Sequence, residues 1–483
     1  MSVIPSYHYL IKYSSEIMTK SPRSRSGLSK QIVKNLSEAL KINQIKQITH
    51  QPEWAHVYLE TDKPADSVIL NTPGIHGYHK VKVISSSAPD EIISFAQSMF
   101  SPRIQNKTFA VRVRNRLPES RKKEISRRNL EKEIGSLLFP ASNGVNLSSP
   151  DITCYIEIRK NQTFFYTDKE TVKGIGGFPV GASGKSLVLF SGGIDSPVAT
   201  FLTLKMGIAP RFVYFDLGSK KQLQNVTLTL DKLHKTFFPF QKTYLYILNG
   251  TPVLQALQNI PEKFQNLGLK YFFYKISERL AFHNKLHALV TGEAFGQVST
   301  QSFQNLVTLD QITQIPVFRP LLFMQKTEII QTANRINTFH LSYTGVENCA
   351  VAQKHVVINS TPEKLKTALQ NINPEKVIQQ TLDTIKVYNI KKNEHLSLLS
   401  TSKSFSGFDK IIYLSKNEND QLANMENIDF REAWNDFFGW DKTKKYLLVC
   451  ETGAKSRLLA QFMKENGFQA EGVGKSEYSS VFV

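Results

Sequence analysis

The sequence predicts a multidomain chain that combines α+β and α/β folds, and three observations carry that expectation. At 483 residues the chain exceeds what one hydrophobic core serves, so several domains are expected. Through residue 166, short strand-like runs flank single helices, the pattern of small α+β units. From residue 187, strands and helices alternate, the pattern of a doubly wound parallel sheet. Composition agrees with globular folding, with 41% hydrophobic and 21% charged residues. No apolar run of about 18 residues occurs, so no membrane span is expected. The start, MSVIPSYHYL, lacks the basic-then-apolar order of a signal peptide.

Taken in order, YHYLIKY and WAHVYLE read as strands around the helical LSKQIVKNLSEALKI, which marks residues 1–66 as a first domain. Residues 67–172 repeat that grammar, with VKVIS, FAVRVR and ITCYIEIRK as strands and PDEIISFAQSMF and ISRRNLEKEIGSLLF as helices. A third domain, 173–395, opens on the glycine-rich KGIGGFPVGASGKS, a linker or ordered loop. Its strands are LVLF, RFVYFD, TYLYIL and HALVTGE, and residues 360–395 read as a polar helical connector. A fourth unit, 400–483, shows IIYL and YLLVC as strands and SRLLAQFMKENGF as a helix.

Charge is uneven along the chain. The net charge is +19, of which residues 1–185 carry +11 while residues 400–483 carry −1. A localised basic surface suggests a polyanion partner, most simply nucleic acid. Residues 101–132 hold 11 basic and 3 acidic side chains. Arg112, Arg114 and Arg116 alternate and so share one face of a strand, and Arg121, Lys122, Lys123, Arg127 and Arg128 run on into a helix. Such an array suits the phosphates of a folded RNA; the plainer reading is a solvated basic face. Only three cysteines occur, Cys154, Cys349 and Cys450, which excludes a disulfide scaffold and fits a cytoplasmic protein.

GASGKS (181–186) imitates a Walker A loop, but the required first glycine is Pro179 and the segment precedes its strand. SGGIDS (191–196) is better placed, after a strand and before a helix. Glycines let N–H groups approach phosphate, the helix start favours anions, and Ser191 and Ser196 offer hydroxyls. Pro197 suits a first helical turn. Asp195 would repel phosphate unless Mg²⁺ stands between them, so ATP with Mg²⁺ is the expected ligand and no protein-held metal is expected.

This string resembles the PP-loop of the ATP pyrophosphatases. With KGIGGFPVG, VTGEAFGQVSTQ (290–301) and VFRPLLFMQKTEII (317–330), the chain is similar over nearly its whole length to the ThiI family of tRNA 4-thiouridine synthetases. The resemblance implies a ferredoxin-like N-terminal domain, a THUMP RNA-binding domain, a PP-loop domain of the adenine nucleotide alpha hydrolase kind and, in some members, a rhodanese-like domain. It implies nucleotide contacts at Leu189, Phe190, Ser191, Gly192, Gly193, Asp195, Ser196, Lys270, Gly292 and Gln301, with Asp195 and Lys326 acting in activation. The family pattern has an acid before that lysine; this chain has Gln325.

In CETGAKSR (450–457) a strand-ending cysteine opens a loop before a helix, the layout of a rhodanese active loop. Lys455 and Arg457 would favour a thiolate or persulfide there. The Asp-x-Arg pair usual in rhodanese-like domains is missing from IIYLSKNEND, where it is expected. Taken alone, Cys349 and Cys154 read as structural. The resemblance instead makes Cys349 the redox partner of Cys450.

The expected activity is therefore ATP-dependent adenylation of a uridine O4 in tRNA, at position 8, and its replacement by sulfur from a persulfide. The implied partners are tRNA, a cysteine desulfurase, a thiol reductant and a thiamine thiazole sulfur-carrier protein, with no membrane; a homodimer is one assembly the resemblance allows. Two alternatives remain at this point. One is a different PP-loop adenylating enzyme or tRNA thiolase with another target. The other is a non-catalytic RNA-binding or sulfur-carrier protein.

Overall fold

The computed structural model describes residues 6–52, 56–117, 125–342, 356–399, 407–415, 425–451, 453–475 and 478. They fall into two compact units, 1–182 with 205–207 and 183–204 with 208–483.

The first unit holds two sheets. In one, strands β1 (Tyr7–Tyr13), β2 (Gln47–Pro52), β3 (His56–Thr61), β4 (Ile75–Lys80) and β9 (Thr171–Lys173) lie in the order β2-β3-β1-β4-β9, every pair antiparallel. Helix α1 (Pro22–Ile42) starts at Ser21, whose Oγ accepts the Ser24 N–H, with Pro22 where no N–H is needed. It buries Ile32, Leu36 and Leu40, a helical stripe, in the same core as Tyr9, Ile11 and Leu59. The sequence-based division at residue 66 differs from this arrangement. Tyr78 pairs with Ile11 and Val172 pairs with Tyr78, so residues from beyond 66 complete the first sheet. Only Val81 separates β4 from β5 (Lys82–Ile84), where the chain passes into the second sheet.

That second sheet has the order β5-β8-β7-β6, with β6 (Phe109–Asn115), β7 (Ile152–Ile158) and β8 (Thr163–Thr167). Helices α2 (Pro89–Phe100) and α3 (Arg127–Leu138) supply Ile92, Phe100, Leu130 and Ile134 to its core, with Val111 and Val113 of β6. Cys154 is fully buried here, and burial pushes its thiol up to about 12, which makes it a core residue.

The second unit is built on a six-stranded sheet of order β14-β13-β10-β11-β12-β15. Strands β10 (Lys185–Leu189), β11 (Ala209–Asp216), β12 (Tyr244–Asn249), β13 (Ala288–Val290) and β14 (Val317–Phe318) run parallel, as expected for near-continuous apolar runs. From β10 the chain steps outward through α4 (Asp195–Lys205), β11, α5 (Lys220–Phe237) and β12. It then returns by α6 (Gln265–His283) to β13, on the other side of β10. The order therefore reverses between β10 and β13, and ligands bind beyond the carboxyl ends of strands at such a reversal.

Residues 360–395 are not the polar connector their composition suggests. Helices Pro362–Ala368 and Pro374–Leu382 bury Leu365, Val377 and Ile378 in the main core. β15 (Lys386–Asn389) then pairs antiparallel with β12 and ends the sheet.

A second sheet in this unit, of order β17-β16-β18-β19, is wholly parallel. It contains β16 (Lys410–Leu414), β17 (Glu426–Ile428), β18 (Lys445–Cys450) and β19 (Gln469–Gly474), with α8 (Ala454–Glu465) after β18. An Asp-x-Arg sequence, absent near residue 415, occurs directly after β17 as Asp429-Phe430-Arg431. There Asp429 accepts the Arg431 N–H at 2.9 Å, and Arg431 forms an ion pair with Glu262.

Candidate active site

The reversal point is occupied by SGGIDS. β10 ends at Leu189, and the Phe190 N–H donates to the Val213 carbonyl at 2.9 Å, so the strand register carries one residue further. The Phe190 ring is 2% exposed and meets Phe212 edge-on, which leaves its backbone as the part that faces the loop. Ser191 N–H donates to Ser196 Oγ at 3.1 Å and Gly193 N–H approaches Ser191 Oγ at 3.4 Å, which ties the loop to the first turn of α4. Gln222 of α5 donates to the Ser191 carbonyl at 2.9 Å. Gly192 has φ +74°, and a Cβ there would stand 2.9 Å from Val226 Cγ2. A side chain is thus excluded by backbone and by space.

Two later segments close over this loop. After β13, a Cβ on Gly292 would stand 2.8 Å from Ser196 N and 2.9 Å from Asp195 C, so one backbone crosses directly over the other. Lys326, the first residue of α7 (Lys326–Arg335), places Nζ 2.7 Å from Asp195 Oδ1 and 3.2 Å from Gln297 Oε1. Gln325, where the family pattern has an acid, is the N-cap of this helix, and the Glu328 carboxylate accepts its N–H at 2.7 Å.

Beneath lies a buried polar network. Glu293 is 2% exposed and accepts from Thr291 Oγ1 and Arg319 Nε, each at 3.0 Å, and from the Tyr274 hydroxyl. Lys270 Nζ lies 3.2 Å from its other oxygen. Burial pushes the Glu293 carboxyl up, but Lys270 and Arg319 prevail and hold it down to about 2. Arg319 is anchored in turn by Asp310 at 2.7 Å. Gln301 is buried, its carbonyl accepts the Gly296 N–H, and its Oε1 has no hydrogen-bond partner. A buried orphan acceptor fits a ligand N–H, as an adenine amino group would supply.

The donors suit a nucleotide. The first-turn N–H groups of an α-helix have no intrahelical partner, and the cation Lys326 lies on the loop while Lys270 pairs with Glu293 beneath it. Asp195 offers a single carboxylate, a donor set that fits a magnesium ion arriving with phosphate oxygens.

The cysteine loop is the second element. Cys450, 3% exposed at the end of β18, accepts through Sγ from the N–H groups of Gly453 (3.2 Å) and Ser456 (3.4 Å). Ser456 Oγ stands 3.4 Å from the same sulfur and donates to the Val473 carbonyl. Gly453 takes φ +86°, and a Cβ on it would lie 2.6 Å from Arg457 Nη1, so the guanidinium lies against the loop. Lys455 differs from the expectation: its Nζ sits over the Phe430 ring at 5.7 Å. This loop packs beyond the carboxyl end of β11, where a Cβ on Gly218 would stand 3.2 Å from Ala454 Cα. Thr251–Gln461 and Gln255–Glu465 hydrogen bonds continue the contact. A cavity of about 260 Å³ opens there between Asp216, Asn249, Lys386 and Arg457. Cys450 itself ends β18 of the second sheet, but its loop thus packs at the carboxyl end of β11, the strand next to β10, whose end carries SGGIDS.

In the first unit, Arg112 is half-buried and Arg114 and Arg116 are exposed, alternating with buried Val111, Val113 and Leu117 on and just past the edge strand β6. Arg112 Nη2 donates to the Leu147 carbonyl and Arg114 lies over the Tyr155 ring. Arg127 and Arg128 are exposed at the start of α3, Arg127 beside Glu131. Arg121, Lys122, Lys123 and Cys349 lie outside the described residues. Sequence reasoning missed Gln222, Glu293, Gln297, Arg319 and Ser456. An acid directly after an apolar strand, in VTGE, was the one local signal among them.

Comparison with known proteins gives a consistent result. Residues 181–373 match the family described as thiamine biosynthesis protein (ThiI), and residues 87–168 match the THUMP domain. A tRNA sulfurtransferase of Thermoplasma acidophilum is 30% identical over 471 residues, which cover 96% of this chain and 94% of the relative. One of Desulfurococcus amylolyticus is 28% identical over 467 residues, 96% of each. Among solved structures, a 4-thiouridine synthetase in complex with RNA and bound ATP matches with a TM-score of 0.70 and 25% identity, covering 80% of this chain and 100% of that one.

Proposed function

The chain belongs to the ThiI family of tRNA sulfurtransferases, and from that premise we propose that it uses ATP to convert a tRNA uridine, at position 8, to 4-thiouridine. The observation that carries the reading is the constellation at the reversal point: a glycine loop whose Asp195 pairs with Lys326, crossed by Gly292.

Uridine O4 attacks the α-phosphorus of ATP, the bond to the β-phosphate oxygen breaks, and pyrophosphate leaves. Loop N–H groups and Lys326 stabilise the charge that develops on the phosphates. A magnesium ion, held by Asp195 and phosphate oxygens, would screen that charge further. The adenylated oxygen is now a leaving group. Cys450, loaded as a persulfide by a cysteine desulfurase, attacks C4 with its terminal sulfur, and AMP departs. Cys349 then attacks Cys450 Sγ, which releases the thiouridine and leaves a Cys349–Cys450 disulfide. A dithiol reductant restores both thiols. The N–H groups of Gly453 and Ser456 and the adjacent Arg457 support a sulfur anion at Cys450.

In this reading residues 400–483 form a rhodanese-like domain, supported by the four parallel strands, the cysteine loop and Asp429-Phe430-Arg431. Residues 1–66 form a ferredoxin-like domain that shares strands with the THUMP region 67–172, and residues 173–395 the PP-loop domain. The exposed arginines of β6 and α3 hold the tRNA backbone. Supply of sulfur to a thiamine thiazole carrier protein is a second proposed use of the same persulfide. The test is mass spectrometry of tRNA nucleosides after incubation with ATP, cysteine and a desulfurase. 4-Thiouridine is expected; its absence with all components active sinks the reading.

A further inference from the structure

Three phenylalanines at the mouth of the nucleotide loop have no role in the chemistry above. Phe323 is 92% exposed, Phe303 67% and Phe295 51%. They come from the two segments that close the reversal point. Phe295 N–H donates to the Leu322 carbonyl at 3.1 Å, which joins the two backbones one residue from Phe323. The rings of Phe295 and Phe303 meet edge to face, with centroids 6.3 Å apart. The same segments deliver Gln297 and Lys326, which meet at 3.2 Å, and Lys326 reaches Asp195. The segments that carry the rings are therefore the ones that bring the ammonium group onto the loop. Clustered exposed apolar surface of this kind marks a binding site.

We propose that Phe295, Phe303 and Phe323 form a stacking platform for an unpaired RNA nucleobase, with Phe323 the principal contact. The inference rests on the tRNA sulfurtransferase reading and adds to it the residues that receive the base. The chemistry favours a base as occupant. A carbonyl inside a paired stack cannot reach a phosphorus atom held by a loop, so the target must leave the stack. Phe295 and Phe323 stand two and three residues from Gln297 and Lys326, the pair that meets over Asp195. Flat aromatic faces beside a cation suit a π-system tethered to phosphate, and stacking of this kind accepts any base. All three side chains are aromatic, and the chain's net charge of +19 complements RNA.

The test compares the intact protein with Phe323→Ala, Phe323→Trp and the double variant Phe303→Ala/Phe323→Ala. Phe323 stands in solvent, so its truncation leaves the hydrophobic core intact. Affinity for tRNA is measured across a salt series, ATP affinity with a fluorescent analogue, and thiolation under single turnover. Phe323→Ala is expected to weaken tRNA binding by about 10-fold or more. Its salt slope should stay unchanged, because every cation that faces a phosphate is still present, and ATP affinity should also be unchanged. Phe323→Trp should restore binding. RNA carrying 5-iodouridine at the target position should photocrosslink within residues 318–326. Wild-type tRNA affinity and salt slope in the double variant overturn the platform. So does a change in oligomeric state without a change in RNA affinity, which assigns the patch to a second copy. A wild-type protein that neither binds nor thiolates tRNA defeats the functional reading itself, a result distinct from either.

Discussion

Lys326 Nζ lies 2.7 Å from Asp195 Oδ1 and joins the first residues of two helices 131 positions apart in sequence. A cation at a helix start opposes the helix dipole, so its position there is maintained by what it faces. In the protein that partner is Asp195, and the proposed function adds the phosphates of bound nucleotide. Lys326→Ala is expected to lower the single-turnover thiolation rate by roughly 100-fold or more, the scale of removing one charge-stabilising donor. Thermal stability should change by less than about 1 kcal/mol, because the pair is partly exposed. A rate near wild type would remove Lys326 from the chemistry.

Glu293 connects the nucleotide site to the core. Its carboxyl is held down to about 2 against an ordinary 4.5, so its stabilising contribution is complete above about pH 4.5 and is lost as pH falls toward 2. Glu293→Gln leaves Lys270 and Arg319 without their buried counter-charge. A loss of about 3 kcal/mol or more at pH 7 is expected by denaturant unfolding. The stability difference between variant and wild type should shrink over the acid window. That difference isolates Glu293 from Glu157, which Arg159 and His56 hold down to about 2 against its own burial. Equal stability at pH 7 would contradict the buried network.

Gly292 is defined by space. A methyl group there meets the backbone of Asp195 and Ser196, which cannot rotate away. Gly292→Ala is expected to push the loop aside at a cost of about 1–3 kcal/mol and to abolish ATP binding in a fluorescence titration. tRNA affinity should persist. Unimpaired ATP binding would show that the crossing backbones are free to separate.

Arg112 and Arg114 line an edge strand whose other face is packed into the core. Replacing both by alanine should weaken tRNA binding for all sequences alike and reduce the salt slope by about 1 for each phosphate that is no longer neutralised. An unchanged slope would return these arginines to a merely solvated face.

The legible parts of this molecule were those whose signal is local. SGGIDS announces itself because glycine and Asp must stand at fixed offsets between a strand and a helix. The cysteine loop is legible for the same reason. Strand membership was harder: β4 and β9 join the first sheet by pairings that nothing in their own residues encodes. The helices at 362–382 looked polar because only Leu365, Val377, Ile378 and a few neighbours face the core. Asp429 and Arg431 were missed because β17 is only three residues long and too short to read as a strand. Glu293 was missed because its charged partners, Lys270 of α6 and Arg319 just past β14, come close only after the sheet reverses.

The central claim is that sulfur on Cys450 ends at C4 of a uridine activated at the Asp195 loop. The direct measurement loads the protein with ³⁵S from labelled cysteine and a desulfurase, removes both, and then adds tRNA with or without ATP. The account predicts label on the peptide containing Cys450, chased into 4-thiouridine only when ATP is present. Cys450→Ala should take up no transferable label. Thiolation of tRNA by that variant at the wild-type rate with the same desulfurase, or chase without ATP, would contradict it.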